Sequence, residues 1–240
     1  MAASIITSVK GDVTYDGIPD TVSLIGVQFG DSNAWQQMSL VIQNGATGRI
    51  TAIALPEDAA YAPSIALVSL TSKDKRDILL SLPTGGSGGV IDYIIYTYDD
   101  GTFRQIFASD DYNATYTYQI QYLDGYAVKA ASQLNRQEYF IDLTGKGSDY
   151  LNQLYNADGS LREPMEGFVN PLSGLYPIDF DGDGQSSLLA WQRIAGLYNA
   201  DSLGYFLNTL DWQGGTFVLT DQKKRVELIR EVYGIDVPQE

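Results

Sequence analysis

Short apolar runs separated by turn residues recur along this chain in three sets of four, and their spacing repeats. The first set is Ser4 to Val9, Thr21 to Ile25, Met38 to Ile42 and Ile50 to Leu55. The second is Ser64 to Leu70, Ile78 to Leu82, Val90 to Tyr98 and Phe103 to Phe107. The third is Leu175 to Phe180, Leu188 to Arg193, Tyr205 to Trp212 and Thr216 to Thr220. Runs of this length, bounded by Gly, Asn and Asp, read as β-strands. Between the third and fourth runs of each set lies a hairpin signal: Asn44-Gly45, Asp100-Gly101 and Gly214-Gly215. Each set therefore reads as strand, loop, strand, strand, hairpin turn, strand.

The loop between the first two runs of each set is the most informative element. Asp179-Phe-Asp181-Gly-Asp183-Gly184 places three carboxylates on alternate residues and then a glycine where the backbone must turn sharply. Asp12-Val-Thr14-Tyr-Asp16-Gly17-Ile-Pro-Asp20 has the same grammar, with oxygen-bearing residues at positions one, three, five and nine and glycine at six. A weaker copy starts at Ser69, 57 residues after Asp12, and reaches Asp77 through Thr71, Lys73 and Asp74. The hairpin signals follow these loops at 32, 31 and 35 residues, so the units share one layout. A hard cation with six to eight oxygen ligands needs several carboxylates converging on one point. Calcium is therefore expected at Asp179, Asp181 and Asp183, and a second ion at Asp12, Thr14, Asp16 and Asp20. In the Ser69 loop a metal-free turn is favoured, because Lys73 can stand in for the cation. The Asp179 loop is not an EF-hand, since its twelfth position is Ala190 and not a bidentate glutamate.

Four-stranded units repeating every 50 to 60 residues predict an all-β fold, a small β-propeller of four or five blades. Regular blades are expected at about 1–56, 60–110 and 172–220, within one domain spanning 1–240. Ser4 to Val9 is expected to close the ring by pairing with the last blade. Residues 111–170 depart from the pattern and are read as an irregular blade or pair of blades. There Asp142-Leu-Thr144-Gly-Lys146-Gly147-Ser-Asp149 is a degenerate loop with lysine at a central ligand position. From Asp221 to Gly234 an N-cap candidate, apolar residues at helical spacing and a terminal glycine predict a C-terminal helix over 221–233.

The Asp loops place the chain near a known group. It resembles FG-GAP or VCBS repeat proteins, whose blades carry Asp-x-Asp-x-Asp-Gly-x-x-Asp loops between their first two strands, as in the integrin α-subunit head. More narrowly, Thr84-Gly-Gly-Ser-Gly-Gly89, Gly167 to Pro177 and Gln192 to Gly204 are similar to stretches of uncharacterised exported VCBS-repeat proteins of Gram-positive spore formers. The resemblance implies a calcium-binding propeller and export; it implies no particular activity.

Composition narrows the chemistry. There are 15 basic and 30 acidic residues, a formal net charge of −15, which disfavours nucleic acid and anionic membranes because both reward clustered Lys and Arg. Cysteine and histidine are absent, which excludes disulfides, thiol nucleophiles, Ser-His-Asp triads and ordinary structural zinc sites. No apolar stretch of about 20 residues marks a transmembrane helix. Met1-Ala-Ala-Ser resembles the remnant of an Ala-x-Ala cleavage site behind an added start methionine, so a secreted or surface location is expected.

Other features have plainer readings. The run Gly85-Gly86-Ser87-Gly88-Gly89 lacks the Lys-Ser/Thr ending of a phosphate-binding loop and reads as a turn. Period-two alternation puts Tyr116, Tyr118, Ile120 and Tyr122 on one strand face; packing is the default and a platform for a glycan or protein ligand the alternative. Asn113-Ala-Thr115 is a sequon by spacing alone. Three function classes remain: a calcium-stabilised binding or structural module, which is favoured; a self-associating spore- or envelope-layer protein; and a hydrolase or lyase using paired carboxylates such as Glu163 and Glu166 or Asp110 and Asp111.

Overall fold

The computed structural model describes residues 2–30, 32–56 and 59–224. It is mostly β, with three antiparallel sheets among the described residues. The first contains β1 (Ser4–Gly11), β2 (Asp20–Gln28), β3 (Ala34–Gln43) and β4 (Ile50–Ala54) in chain order, with β5 (Ala59–Tyr61) added to β3. The second is the meander of β6 (Ser64–Val68), β7 (Asp77–Pro83), β8 (Ile91–Asp99) and β9 (Thr102–Ala108). The chain then passes through the short helix α1 (Ser109–Thr115), strands β10 (Tyr118–Leu123), β11 (Ala127–Ser132) and β12 (Glu138–Asp142), and helix α2 (Ser148–Leu154). The last meander follows: β13 (Glu166–Ile178), β14 (Ser187–Ala195), β15 (Ser202–Gln213) and β16 (Thr216–Lys224).

All three expected four-strand units form in the expected order. Asp100 with Gly101 and Gly214 with Gly215 all take positive φ, as two-residue turns matched to strand twist require. The β3–β4 connection is longer, running from Asn44 to Arg49 and closed by Asn44 N–H donating to Arg49 O at 2.9 Å.

The sheets stack face to face. Val22, Leu24, Leu40 and Ile42 of the first sheet bury against Ile78, Leu80 and Ile94 of the second. Leu79, Tyr93 and Ile95, on the opposite face of the second sheet, bury against Leu172, Leu175, Leu188 and Leu210 of the third. This double burial explains why β7, Asp-Ile-Leu-Leu-Ser-Leu-Pro, reads as a nearly continuous apolar run instead of an alternating one.

Three expectations are corrected. Residues 111–170 do not form a blade or pair of blades of their own, because β10 pairs with β13 and the strands β10 to β12 thereby join the third sheet, making it seven-stranded. That sheet curls on itself, so Ile120, Tyr122, Val128 and Ile141 pack against Ile194 and Phe206. Secondly, β1 does not pair with the last meander among the described residues: it pairs with β2 from Ser4↔Gly26 to Gly11↔Asp20, with a bulge between Ile5 and Thr7, and lies at the edge of its sheet there. A hairpin closed through the adjacent loop sacrifices less chain entropy than a pairing across the whole domain. Thirdly, Asp221 to Lys224 belong to β16 and pair with Thr209 to Phe206; the remainder of the expected 221–233 helix lies outside the described residues. Tyr116, Ile120 and Tyr122 are buried, so the tyrosine strand serves the core.

Candidate metal loop

The three Asp loops lie where the repeat places them, between β1 and β2, β6 and β7, and β13 and β14. The backbone explains the glycines, since Gly17 has φ +85° and Gly184 φ +91°, a left-handed conformation that glycine adopts without strain. The interiors of the loops nevertheless differ.

In the first loop Asp20, at position nine, is fully buried. Its Oδ2 accepts the N–H groups of Val13 and Thr14 at 2.9 and 3.0 Å, and its Oδ1 accepts that of Gly45 at 2.9 Å. Asp12 accepts the amides of Asp16 at 3.3 Å and Gly17 at 2.9 Å. Sequence reasoning missed Asn44. From the β3–β4 turn its Nδ2 donates to Thr14 Oγ1, Asp16 Oδ2 and Asp20 Oδ1 at 2.8, 2.7 and 3.2 Å. The Asn44 amide first, then that of Ile18, holds the Asp16 carboxyl below its usual range. Of the four residues expected to share an ion, Thr14, Asp16 and Asp20 are gathered around one amide nitrogen, whereas Asp12 caps the backbone of Asp16 and Gly17 and does not join the other two carboxylates in a cluster. Asn44 carried only a turn signal, and nothing local announces a partner 30 residues away.

The second loop repeats the position-nine anchor. Asp77 is fully buried and accepts Leu70 N–H and Thr71 N–H at 3.0 and 2.8 Å, with the Thr71 hydroxyl donating as well. Arg76 Nη1 donates to Ser69 Oγ at 2.9 Å. Lys73 is exposed.

The third loop has Ser187 in place of this aspartate. It is secured from outside, Ser186 N–H donating to Ser69 O at 2.7 Å and Gln185 Nε2 to Leu70 O at 2.9 Å. Carboxylate oxygens of Asp179, Asp181 and Asp183 lie within 4.8 Å of one another, the single such group of three among the described residues, and all three side chains are exposed. Backbone amides of the same loop donate to them: Gly182 and Gly184 to Asp179, Asp183 to Asp181, and Gln185 to Asp183. The Gly184 amide foremost holds the Asp179 carboxyl below its ordinary value. Asp181 and Asp183 also border a groove of about 640 Å³ on the outer face of the third sheet, floored by Leu189, Leu207 and Thr209.

The degenerate loop at Asp142 sits elsewhere, between β12 and α2, and its lysine has another role. Lys146 Nζ pairs at 3.0 Å with Asp201, a buried carboxylate that also accepts Tyr150 O–H at 2.7 Å and Leu197 N–H at 2.9 Å. Tyr150 in turn meets the Tyr122 hydroxyl at 2.8 Å. Burial foremost, then Tyr122 and Asp201, pushes the Tyr150 hydroxyl far above its usual range, so it stays a proton donor. Of the carboxylate pairs considered for catalysis, Asp110 and Asp111 are exposed on the first turn of α1, and Glu163 and Glu166 are exposed before and at the start of β13.

A family model described as the YybI C-terminal domain matches residues 116–225, which includes the Asp179 loop and the Lys146 to Asp201 contact but not the first two Asp loops. The chain is 45% identical over 219 residues to "Uncharacterized protein YybI" of Bacillus subtilis (strain 168), an alignment covering 91% of this chain and 84% of that protein. No solved structure matches it significantly. With that identity sustained over most of both chains, this protein belongs to the YybI family.

Proposed function

We propose that this protein is a calcium-stabilised module of the propeller type that binds or scaffolds other molecules outside the cytoplasm and carries out no catalysis itself. The observation behind this reading is the convergence of Asp179, Asp181 and Asp183 within 4.8 Å in an exposed loop with no Lys or Arg among its residues 179–187. Like charges held so close repel, and a hard divalent cation with oxygen ligands relieves that repulsion. Oxygen-only donors suit calcium better than zinc or iron, and magnesium rarely uses so dense a protein cage. Blade-like stacking of three meanders, each with a loop between its first two strands, supports a relationship to FG-GAP and VCBS repeats. The groove beside the loop supports a protein or glycan ligand near the ion. A non-catalytic role rests on the absence of His and Cys and on the exposure of the paired carboxylates.

Titration calorimetry of calcium into chelator-stripped protein tests this reading. Binding that disappears in Asp181→Ala supports it, and no heat from the native protein overturns it. A second reading, self-association in an envelope or spore layer, draws on Ile5 and Ile50, which are 65% and 64% exposed on the outermost strands of the first sheet. Sedimentation of the purified protein over a range of concentrations separates an ordered oligomer from a monomeric binder.

A further inference from the structure

We infer that Asn44 acts as a built-in substitute for a cation in the first loop, so that this loop takes no divalent ion and the identity of residue 44 decides whether it could. The inference stands apart from calcium at Asp179, because it concerns a different loop and a different residue.

The amide group of Asn44 sits where an ion would. Its Nδ2 lies 2.7 to 3.2 Å from Thr14 Oγ1, Asp16 Oδ2 and Asp20 Oδ1, oxygens from three of the four residues a cation would need. Which side-chain atom faces the loop is fixed from behind. Thr47 N–H and Thr47 Oγ1 donate to Asn44 Oδ1 at 2.7 and 2.6 Å, so the oxygen must point to the turn and the nitrogen to the loop. A flipped amide would set two donors against Thr47 and an oxygen against carboxylates.

The approach is built into the backbone as well. Gly45 N–H donates to the same Asp20 oxygen at 2.9 Å, and a Cβ at Gly45 would collide with Pro19 O, so only glycine lets the turn come this close. The other oxygen of Asp20 is taken up by Val13 and Thr14, and those of Asp12 by Asp16 and Gly17. A cation entering here would have to expel the Asn44 amide and leave Thr47 without its acceptor.

The other units lack this device. Their corresponding turns are Asp100-Gly101 and Gly214-Gly215, too short and without a side-chain amide to fold back over a loop. An aspartate at 44 would replace the two N–H donors by a carboxylate beside Asp16 and Asp20, converting a satisfied centre into one that requires a cation.

Calcium titrations of three proteins, the native chain, Asp16→Asn and Asn44→Asp, test this. Asp16→Asn should leave the number of ions bound per chain unchanged, and Asn44→Asp should raise it by about one, with a melting temperature below native in chelator and recovered in calcium. Loss of one ion in Asp16→Asn overturns the inference, as does a folded Asn44→Asp protein that binds no additional calcium. Should Asn44→Asp fail to fold even in calcium, as judged by circular dichroism, the Asp16→Asn comparison decides. A native chain that binds no calcium at all would defeat the reading of the Asp179 loop yet leave this one standing, provided Asn44→Asp gains an ion.

Discussion

Asp20 and Asp77 are the same residue in two copies of one device: each is fully buried and each accepts the backbone N–H groups of the residues seven and six positions before it, while a threonine hydroxyl closes the set. A position that reads as a metal ligand in sequence is here the internal cap of a loop. Hydrogen bonds to a carboxylate are about twice as strong as neutral ones, so one buried side chain can hold a tight turn from within.

Removal of that cap exposes its importance. Asp77→Ala strands two loop amides, one of them buried, and should lower stability by about 3 kcal/mol, whereas Asp74→Ala, at an exposed position three residues earlier, should stay within about 0.5 kcal/mol of native. Urea unfolding of the two variants checks both values.

Calcium should stabilise the protein through the third loop. Saturation at about 100 times the dissociation constant contributes roughly 2.7 kcal/mol per site. The melting temperature is therefore expected to fall on chelation in the native protein and in Lys73→Ala, and to be indifferent to chelator in Asp181→Ala. Differential scanning calorimetry in millimolar calcium and in chelator is the measurement; equal native curves would remove the stabilising role and the argument for a calcium-rich compartment together.

The Lys146 to Asp201 contact predicts a pH dependence. Burial raises the Asp201 carboxyl, but the Leu197 amide, the Tyr150 hydroxyl and the Lys146 ammonium outweigh it and hold the group below its ordinary value of 3.8. The contribution to stability is then present in full above the unfolded aspartate value and is lost as pH falls through the lower folded one. Native protein should lose stability more steeply than Asp201→Asn as pH drops below about 4, and unfolding free energies measured from pH 6 downward will show whether the curves converge.

Gly196 guards the same cluster. A Cβ there would run into Asp201 Oδ2 and the Tyr122 hydroxyl, so Gly196→Ala must displace one of them. The expected loss is about 1 to 3 kcal/mol. Urea unfolding of Gly196→Ala beside the native protein, followed by circular dichroism, reads it out.

Local sequence determined most of the strands and all three repeats. Apolar runs bounded by turn residues placed every strand of β1 to β4, β6 to β9 and β13 to β16, because a strand between two tight turns is specified by its own residues, although β3 begins four and β13 nine residues before the expected runs. The glycines at 17 and 184 and the convergence of Asp179, Asp181 and Asp183 were legible for the same reason, since a loop of alternate acids needs no distant partner to bring its carboxylates together. Tertiary structure decided everything that depends on residues far apart in the chain. Alternation marks Tyr116 to Tyr122 as a strand and the spacing from Asp221 onward reads as helical, but the pairing of β10 with β13 and the extension of β16 through Lys224 come from edges made available by other strands. Likewise Lys146 meets Asp201 across 55 residues and Asn44 meets Asp16 across 28, and each contact changes what its loop does. Spacing along a chain reports which ligands a loop could offer, but only packing determines whether an amide or an ammonium from elsewhere has already answered their charge.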